Sequence, residues 1–240
     1  MLLRIAVTLV ALGLSACSTI VRAPAPEAAA LATTTAVAGP IRIWGDAAPA
    51  NTAAIVRERS AQLAAAGVPV TAPITLLAIS GGASDGAFGA GLLVGWSAAG
   101  TRPKFEIVTG VSTGAIIAPF AFLGPAYDEQ LRAVFTEYRQ SDIYQTRNIF
   151  AAVTNASLAD VSPLEHMIAL YVTPQMVTEI AAEHRRGRRL FIGTTHLDAQ
   201  RPVIWSIGEI AQRGDAAAVE LIRKIILASA SVPGVFPPVL

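Results

Sequence analysis

Two short apolar runs dominate the hydrophobic pattern between Ile74 and Ala118, and each ends in a glycine-rich turn that opens into a helix-like stretch. The first run is Thr75-Leu76-Leu77-Ala78-Ile79, followed by the turn Ser80-Gly81-Gly82-Ala83-Ser84-Asp85-Gly86 and a helix over Ala87 to Ala99. The second is Glu106-Ile107-Val108-Thr109, followed by Gly110-Val111-Ser112-Thr113-Gly114 and a helix from Ala115. Short apolar runs bounded by turn residues are the pattern of buried strands. Two strand–helix units in succession predict parallel strands joined by a right-handed crossover. Both turns then lie at the carboxyl ends of their strands, where open α/β sheets place their ligands. The expected fold class is α/β with a mainly parallel central sheet.

The pattern elsewhere is plainer. Ile41 to Gly45 reads as a short edge strand, and Asn51 to Ala66 as a helix with Ile55, Val56 and Leu63 on one face, stopped by Gly67. The helix over Ala87 to Ala99 carries Ala87, Gly89, Ala90 and Gly91, which implies close packing of the helix on a strand. Asp128 to Tyr138 is helical, with Leu131, Val134, Phe135 and Tyr138 on one side. Ser141 to Ser162 is polar and irregular, and reads equally as a lid or an ordinary connector. Pro163 to Tyr171 and Pro174 to His184 read as helices. Arg189 to Thr195 and Pro202 to Ser206 read as two strands joined by a hairpin-like turn. Asp215 to Ser229 is an amphipathic helix with Val219, Leu221, Ile222, Ile225 and Ile226 apolar.

Composition narrows the function classes. With 53% hydrophobic and 15% charged residues and a net charge of +1, the 240-residue chain lacks the basic runs of a nucleic-acid binder. Its one basic cluster, Arg185-Arg186-Gly187-Arg188-Arg189, reads as a solvated helix end and turn, with anionic lipid head groups as the sharper alternative. The single cysteine, Cys17, excludes an internal disulfide and a cysteine-based metal site.

The amino-terminal stretch has its own logic. Arg4 followed by the apolar run Ile5 to Leu14 predicts an export signal over 1–16, since the run is short for a bilayer span. Leu14-Ser15-Ala16-Cys17 resembles the lipobox of bacterial lipoproteins, which implies an acylated Cys17 anchored in the cell envelope. Ser18 after it resembles the sorting pattern for the outer membrane. An ordinary signal peptide with an incidental cysteine is the alternative. Residues 17–40, rich in Ala, Thr and Pro, read as a tether, 41–73 as a lead-in, and 74–240 as the main domain.

The candidate chemistry lies in the two turns. Gly110-Val111-Ser112-Thr113-Gly114 is a G-x-S-x-G, in which a serine on a tight strand-to-helix turn is held clear of the sheet, with the dipole of the following helix aimed at it. The flanking Gly110 and Gly114 let backbone approach closely. In the first turn, backbone N–H groups around Gly81, Gly82 and Ala83 can converge on a developing negative charge. No Gly-Lys-Ser/Thr follows that turn, and Ala83 stands where a dinucleotide fingerprint needs a glycine, so neither nucleotide motif is complete.

A glycine-rich loop after one strand and G-x-S-x-G one unit later resemble the patatin-like phospholipase family. The resemblance continues in Thr194-Thr195-His196-Leu197-Asp198 and in Ala228-Ser229-Ala230-Ser231-Val232-Pro233-Gly234-Val235-Phe236-Pro237-Pro238. It implies a three-layer α/β/α fold and a serine acyl hydrolase acting on lipid esters, with no metal or cofactor. It also implies Ser112 as nucleophile, Gly81, Gly82 and Ala83 as the oxyanion loop, and a Ser–Asp dyad without histidine. Ala83 departs from the family's third loop glycine, a costly change where the backbone needs a positive φ. The dyad aspartate belongs to an Asp-Gly-Gly or Asp-Gly-Ala after the Pro-Pro segment, which is not reached before Leu240, so the domain is expected to be incomplete at its carboxyl end and weakly active or inactive. Asp85-Gly86-Ala87 matches that string but lies in the oxyanion loop.

Two alternatives stay open. An α/β-hydrolase-type triad could draw on Ser112, Asp160 and His166, on Asp142 and His184, or on the better placed His196 at a strand end. A non-catalytic envelope lipoprotein could retain the fold as a binding module.

Overall fold

The computed structural model describes residues 41–49, 51–69, 71–137, 145–146, 159–233 and 235–239. The expected export signal, the tether with Cys17 and most of the stretch read as lid or connector lie outside the described residues. In chain order the elements are β1 (Arg42–Trp44), α1 (Thr52–Ala65), β2 (Leu76–Ile79), α2 (Gly86–Ala98), β3 (Ile107–Val111), α3 (Thr113–Leu123), α4 (Asp128–Thr136), β4 (Gln145–Thr146) and β5 (Ala159–Asp160). There follow α5 (Ser162–Tyr171), α6 (Pro174–Arg185), β6 (Arg189–His196), β7 (Arg201–Ser206), α7 (Ile207–Ala211) and α8 (Ala216–Ala230).

The main sheet has the order β1-β7-β6-β3-β2. β2 and β3 are parallel with Ile79 opposite Gly110, and β3 and β6 are parallel with Val111 opposite Gly193. β6 and β7 form the expected hairpin, and β1 lies antiparallel on β7 as an edge strand. β7 therefore opposes the common direction of the other strands. Helices flank this mixed, mostly parallel sheet, in keeping with a three-layer α/β/α arrangement.

The core follows from the distribution of apolar residues. α3 carries no charged residue, and Ala115, Ile117, Ala118, Phe120, Ala121 and Phe122 are all buried. A helix apolar on every side belongs in an interior, and α3 occupies it, against β3, α6 and α8. α8 instead buries one stripe, Val219, Ile222, Ile225 and Ile226, against β6 and α3. Its first turn is capped by Asp215, whose Oδ1 accepts from Ala218 N–H at 2.7 Å.

Several expectations are corrected. Val56 is 57% exposed, because α1 meets the rest of the domain through its inner turn, where Leu63 packs on Gly187. The small residues of α2 serve a helix rather than a strand: Gly89 faces Ile117 of α3, while Ala87 and Gly91 are exposed. Within the stretch read as irregular, β4 and β5 pair antiparallel. α7 was not foreseen, since five residues following directly on β7 show no helical period.

The basic cluster is corrected most. Arg185 and Arg186 are exposed, but Arg188 and Arg189 are each only 5% exposed. Arg188 donates to the carbonyls of Phe105 and Phe122 and, through Nη1, to Glu183 at 2.8 Å, and its guanidinium lies 4.3 Å over the Phe122 ring. Those carbonyls lie just before β3 and at the carboxyl end of α3, where acceptors lack helical partners. Burial alone would raise the Glu183 pKa, but Lys104 and Arg188 outweigh it and hold the carboxyl at about 2. Arg189 is fastened by His184 O and by Gln62 Oε1 at 2.7 Å. Both arginines stand at the amino-terminal end of β6 as interior fasteners, so neither the solvated reading nor the lipid-head-group reading holds for them.

Candidate active site

Ser112 stands between the end of β3 and the start of α3, with φ 56° and ψ −123°. That combination lies outside the left-handed helical region that non-glycine residues visit, and such backbone costs about 1–3 kcal/mol. The strand–turn–helix setting places the amino terminus of α3, with its partial positive charge, directly behind the serine.

Neighbouring backbone is packed too tightly for side chains. A methyl group at Gly114 would stand 2.2 Å from the carbonyl oxygen of Ile79, and one at Gly110 would stand 2.2 Å from that of Gly114. The nucleophile turn is thus wedged under the end of β2, from which the first loop springs. A methyl at Gly81 would lie 2.8 Å from Ser112 Cβ and 3.3 Å from Oγ, so the loop backbone lies directly against the serine side chain. Gly82 borders its own loop, near Asp85. Ala83 has φ +47°, the positive angle at which alanine is the costly choice. Its carbonyl accepts from Thr113 Oγ1 at 3.0 Å, which ties loop to turn. Asp85 closes the short 3-10 turn of the loop, and its amide donates to Gly82 O at 2.9 Å.

On the β6 side of the serine a cavity of about 730 Å³ opens, lined by Ser112 and by apolar groups that include Val111, Ile204, Trp205, Ile225 and Phe236. Pockets for small ligands have this volume and character. The strand end and hairpin tip contribute His196 and Asp198 to its wall, and α8 contributes Ser229.

The three histidines are placed differently. His166 is exposed on α5. His184 is fully buried on α6, at the amino-terminal end of β6, with Nε2 3.0 Å from Glu209 Oε1. His196 shares the cavity with Ser112, but its Nδ1 accepts from Ala199 N–H at 3.2 Å. The neutral ring then carries its proton on Nε2 and has no free lone pair there. Of the carboxylates considered with them, Asp142 and the side chain of Asp160 lie outside the described residues. Among the described residues no hydrogen bond joins Ser112 Oγ to a carboxylate or an imidazole.

Glu58, His184 and Glu209 are the one metal-type grouping among the described residues, with ligand atoms within 4.8 Å of one another. The buried Arg189 guanidinium feels the charges of both glutamates, and the His184 hydrogen bond holds Glu209 below the usual carboxylate range. The grouping lies at the amino-terminal end of β6, opposite the end that carries the serine.

Two contacts escaped the sequence. Thr113 is the unspecified position of G-x-S-x-G, and its bond to Ala83 depends on the fold. Ser229 Oγ accepts from Ser112 N–H at 2.9 Å and donates to Gly193 O at 2.6 Å. A signal for it exists: Ser229 falls four residues after Ile225 and three after Ile226, on the buried stripe of α8. Among the described residues no helix is long and apolar enough to cross a membrane.

No curated protein matches the chain. A family model described as patatin-like phospholipase matches residues 77–240, well over half of the 240. That span takes in the loop at Gly81, the strained serine, the hairpin beside the cavity and α8, and by it the chain belongs to the patatin-like phospholipase family.

Proposed function

We propose that the chain is a serine acyl hydrolase that cleaves lipid esters with Ser112 as nucleophile. Family membership supports lipid hydrolysis in general. The observation that carries the finer reading is the strained Ser112 turn, pressed against the Gly81 backbone and open to an apolar cavity of about 730 Å³. An acyl chain suits such walls, since burying apolar surface contributes about 25 cal/mol per Å².

In this reading Ser112 Oγ attacks the ester carbonyl carbon and its proton passes to a carboxylate. Negative charge on the former carbonyl oxygen is met by backbone N–H groups of the loop at Gly81, Gly82 and Ala83 and by the amino terminus of α3. The carbon–oxygen bond to the alcohol then breaks, and the alcohol leaves with the proton. Water attacks the acyl-serine, returns a proton to Oγ and releases the fatty acid. The family resemblance assigns the carboxylate to the aspartate of an Asp-Gly-Gly or Asp-Gly-Ala, and no described residue is given that role.

Fluorophosphonate labelling of the chain, with the adduct located by mass, tests the reading. A slow adduct on the peptide that holds Ser112, absent from Ser112→Ala, is the expected result, and a folded chain that carries the dyad aspartate and still takes up none there sinks the reading. The Nδ1 bond of His196 disfavours a histidine triad. His196→Ala is accordingly expected to leave the labelling rate within about twofold, whereas loss of a general base costs about 10²–10⁴. A drop of that size would restore the triad.

The same proposal sets the enzyme at the bacterial outer membrane through an acylated Cys17, with Leu14-Ser15-Ala16-Cys17 supporting the anchor and Ser18 the outer membrane. Several acyl chains hold a protein stably at a bilayer. Cys17→Ser is expected to move the protein from the membrane fraction to the soluble one. A variant that stays with the membrane would rule out the anchor.

A further inference from the structure

We propose that Ser229 is a positioning residue that holds the nucleophile in its reactive geometry, an inference that rests on Ser112 being that nucleophile. The β3–β6 ladder runs as far as Val111 opposite Gly193. Beyond it β3 turns away at Ser112, and the hydroxyl of Ser229 stands in the opening: it accepts from Ser112 N–H at 2.9 Å and donates to the Gly193 carbonyl at 2.6 Å. The hydroxyl thus carries the sheet's hydrogen bonding one rung further, between a donor and an acceptor that the turn has drawn apart.

The task needs one atom that both accepts and donates. Among side chains a hydroxyl supplies that, a methyl group supplies neither, and a thiol supplies both only weakly. Ser231, just past the end of α8, makes the ordinary local bond, donating back to Leu227 O of the helix at 2.7 Å. Ser229 reaches out of the helix instead, to the turn at Ser112 and to β6. Its partner has backbone angles of 56° and −123°, which persist only where surrounding contacts impose them. The glycine contacts fix the turn against β2, and Ser229 fixes it against β6. Without that second hold the turn can relax toward ordinary angles and carry Oγ away from the Gly81 backbone.

The test is the kinetics of fluorophosphonate labelling in the 240-residue chain, with hydrogen exchange at the Ser112 amide measured in parallel. Ser229→Ala is expected to lower kinact by about 10- to 100-fold, the effect of roughly an ångström of misplacement, with KI within about threefold. Ser229→Thr, which keeps the hydroxyl, should recover most of the rate. Ser229→Cys keeps the size but bonds weakly, and serves where the alanine variant fails to fold. It should fall between the two. The Ser112 amide should exchange at least about tenfold faster in Ser229→Ala, where its hydrogen-bond partner is gone, and faster than wild type in Ser229→Cys, where that partner is weak. A raised KI with kinact unchanged would reduce Ser229 to a cavity wall and overturn the proposal, as would a threonine variant no better than alanine. If the wild-type chain takes no label, exchange alone judges the brace: unchanged protection at Ser112 removes it.

Discussion

Replacing Ser112 with glycine is expected to abolish fluorophosphonate labelling and, at the same time, to raise the unfolding temperature above that of Ser112→Ala. Both variants lack the nucleophile, so both should be inert. They differ in backbone. At φ 56° and ψ −123° any residue with a Cβ is strained, by about 1–3 kcal/mol, and glycine is not. Glycine loses roughly 0.5–1 kcal/mol of this advantage to its larger unfolded-state entropy. A net gain of about 1 kcal/mol remains, or about 2–4 °C in a domain of this size. Thermal unfolding of the two variants side by side checks it. An alanine variant more stable than the glycine variant by roughly 0.5–1 kcal/mol would mean that the turn holds no strain.

Gly114→Ala should act on the fold and the site together. The added methyl would lie 2.2 Å from Ile79 O and 2.8 Å from Ser80 O, both backbone atoms that cannot rotate aside. α3 and the end of β2 must then part by the order of an ångström. Overpacking of this kind costs about 1–3 kcal/mol, and rigid neighbours on both sides put this case at the upper end. Parting the two elements also lifts the Gly81 loop from the Ser112 side chain, so labelling should fall about 100-fold. Urea unfolding and labelling rate measure the two effects. A variant with wild-type values for both would show that the two turns are not wedged together.

Much of this was legible in the chain, for identifiable reasons. The runs at Leu76 and Ile107 are short, apolar and closed by glycines, so their strand character and parallel pairing could be read. The Arg189–Ser206 hairpin was legible because its strands flank a polar turn. The tight strand-to-helix turn at Ser112 was legible because few residue patterns suit such a turn. The angle at Ala83 was not, since a sequence names the residue and not its φ. Arg188 and Arg189 look like solvent-facing charges until the carbonyls of Phe105 and Phe122 are in place to receive them. The role of Ser229 was not legible, because a hydroxyl on an apolar stripe acquires a partner only when distant elements meet.

That meeting sets an order of events during synthesis. Ser112 and Ser229 are 117 residues apart, and β1 finds its partner β7 across a longer span still. Contacts so distant in the chain form late, after the entropy of closing large loops has been overcome. A ribosome that has made the whole of β3 and α3 has made the serine, but not the helix that holds it against β6. Until α8 emerges and docks, the growing chain carries an amide without its hydroxyl partner and a turn free to relax. If Ser229 is the brace proposed above, docking of α8 is a checkpoint: Ser112 reaches its held geometry only once the chain through α8 has been made and packed.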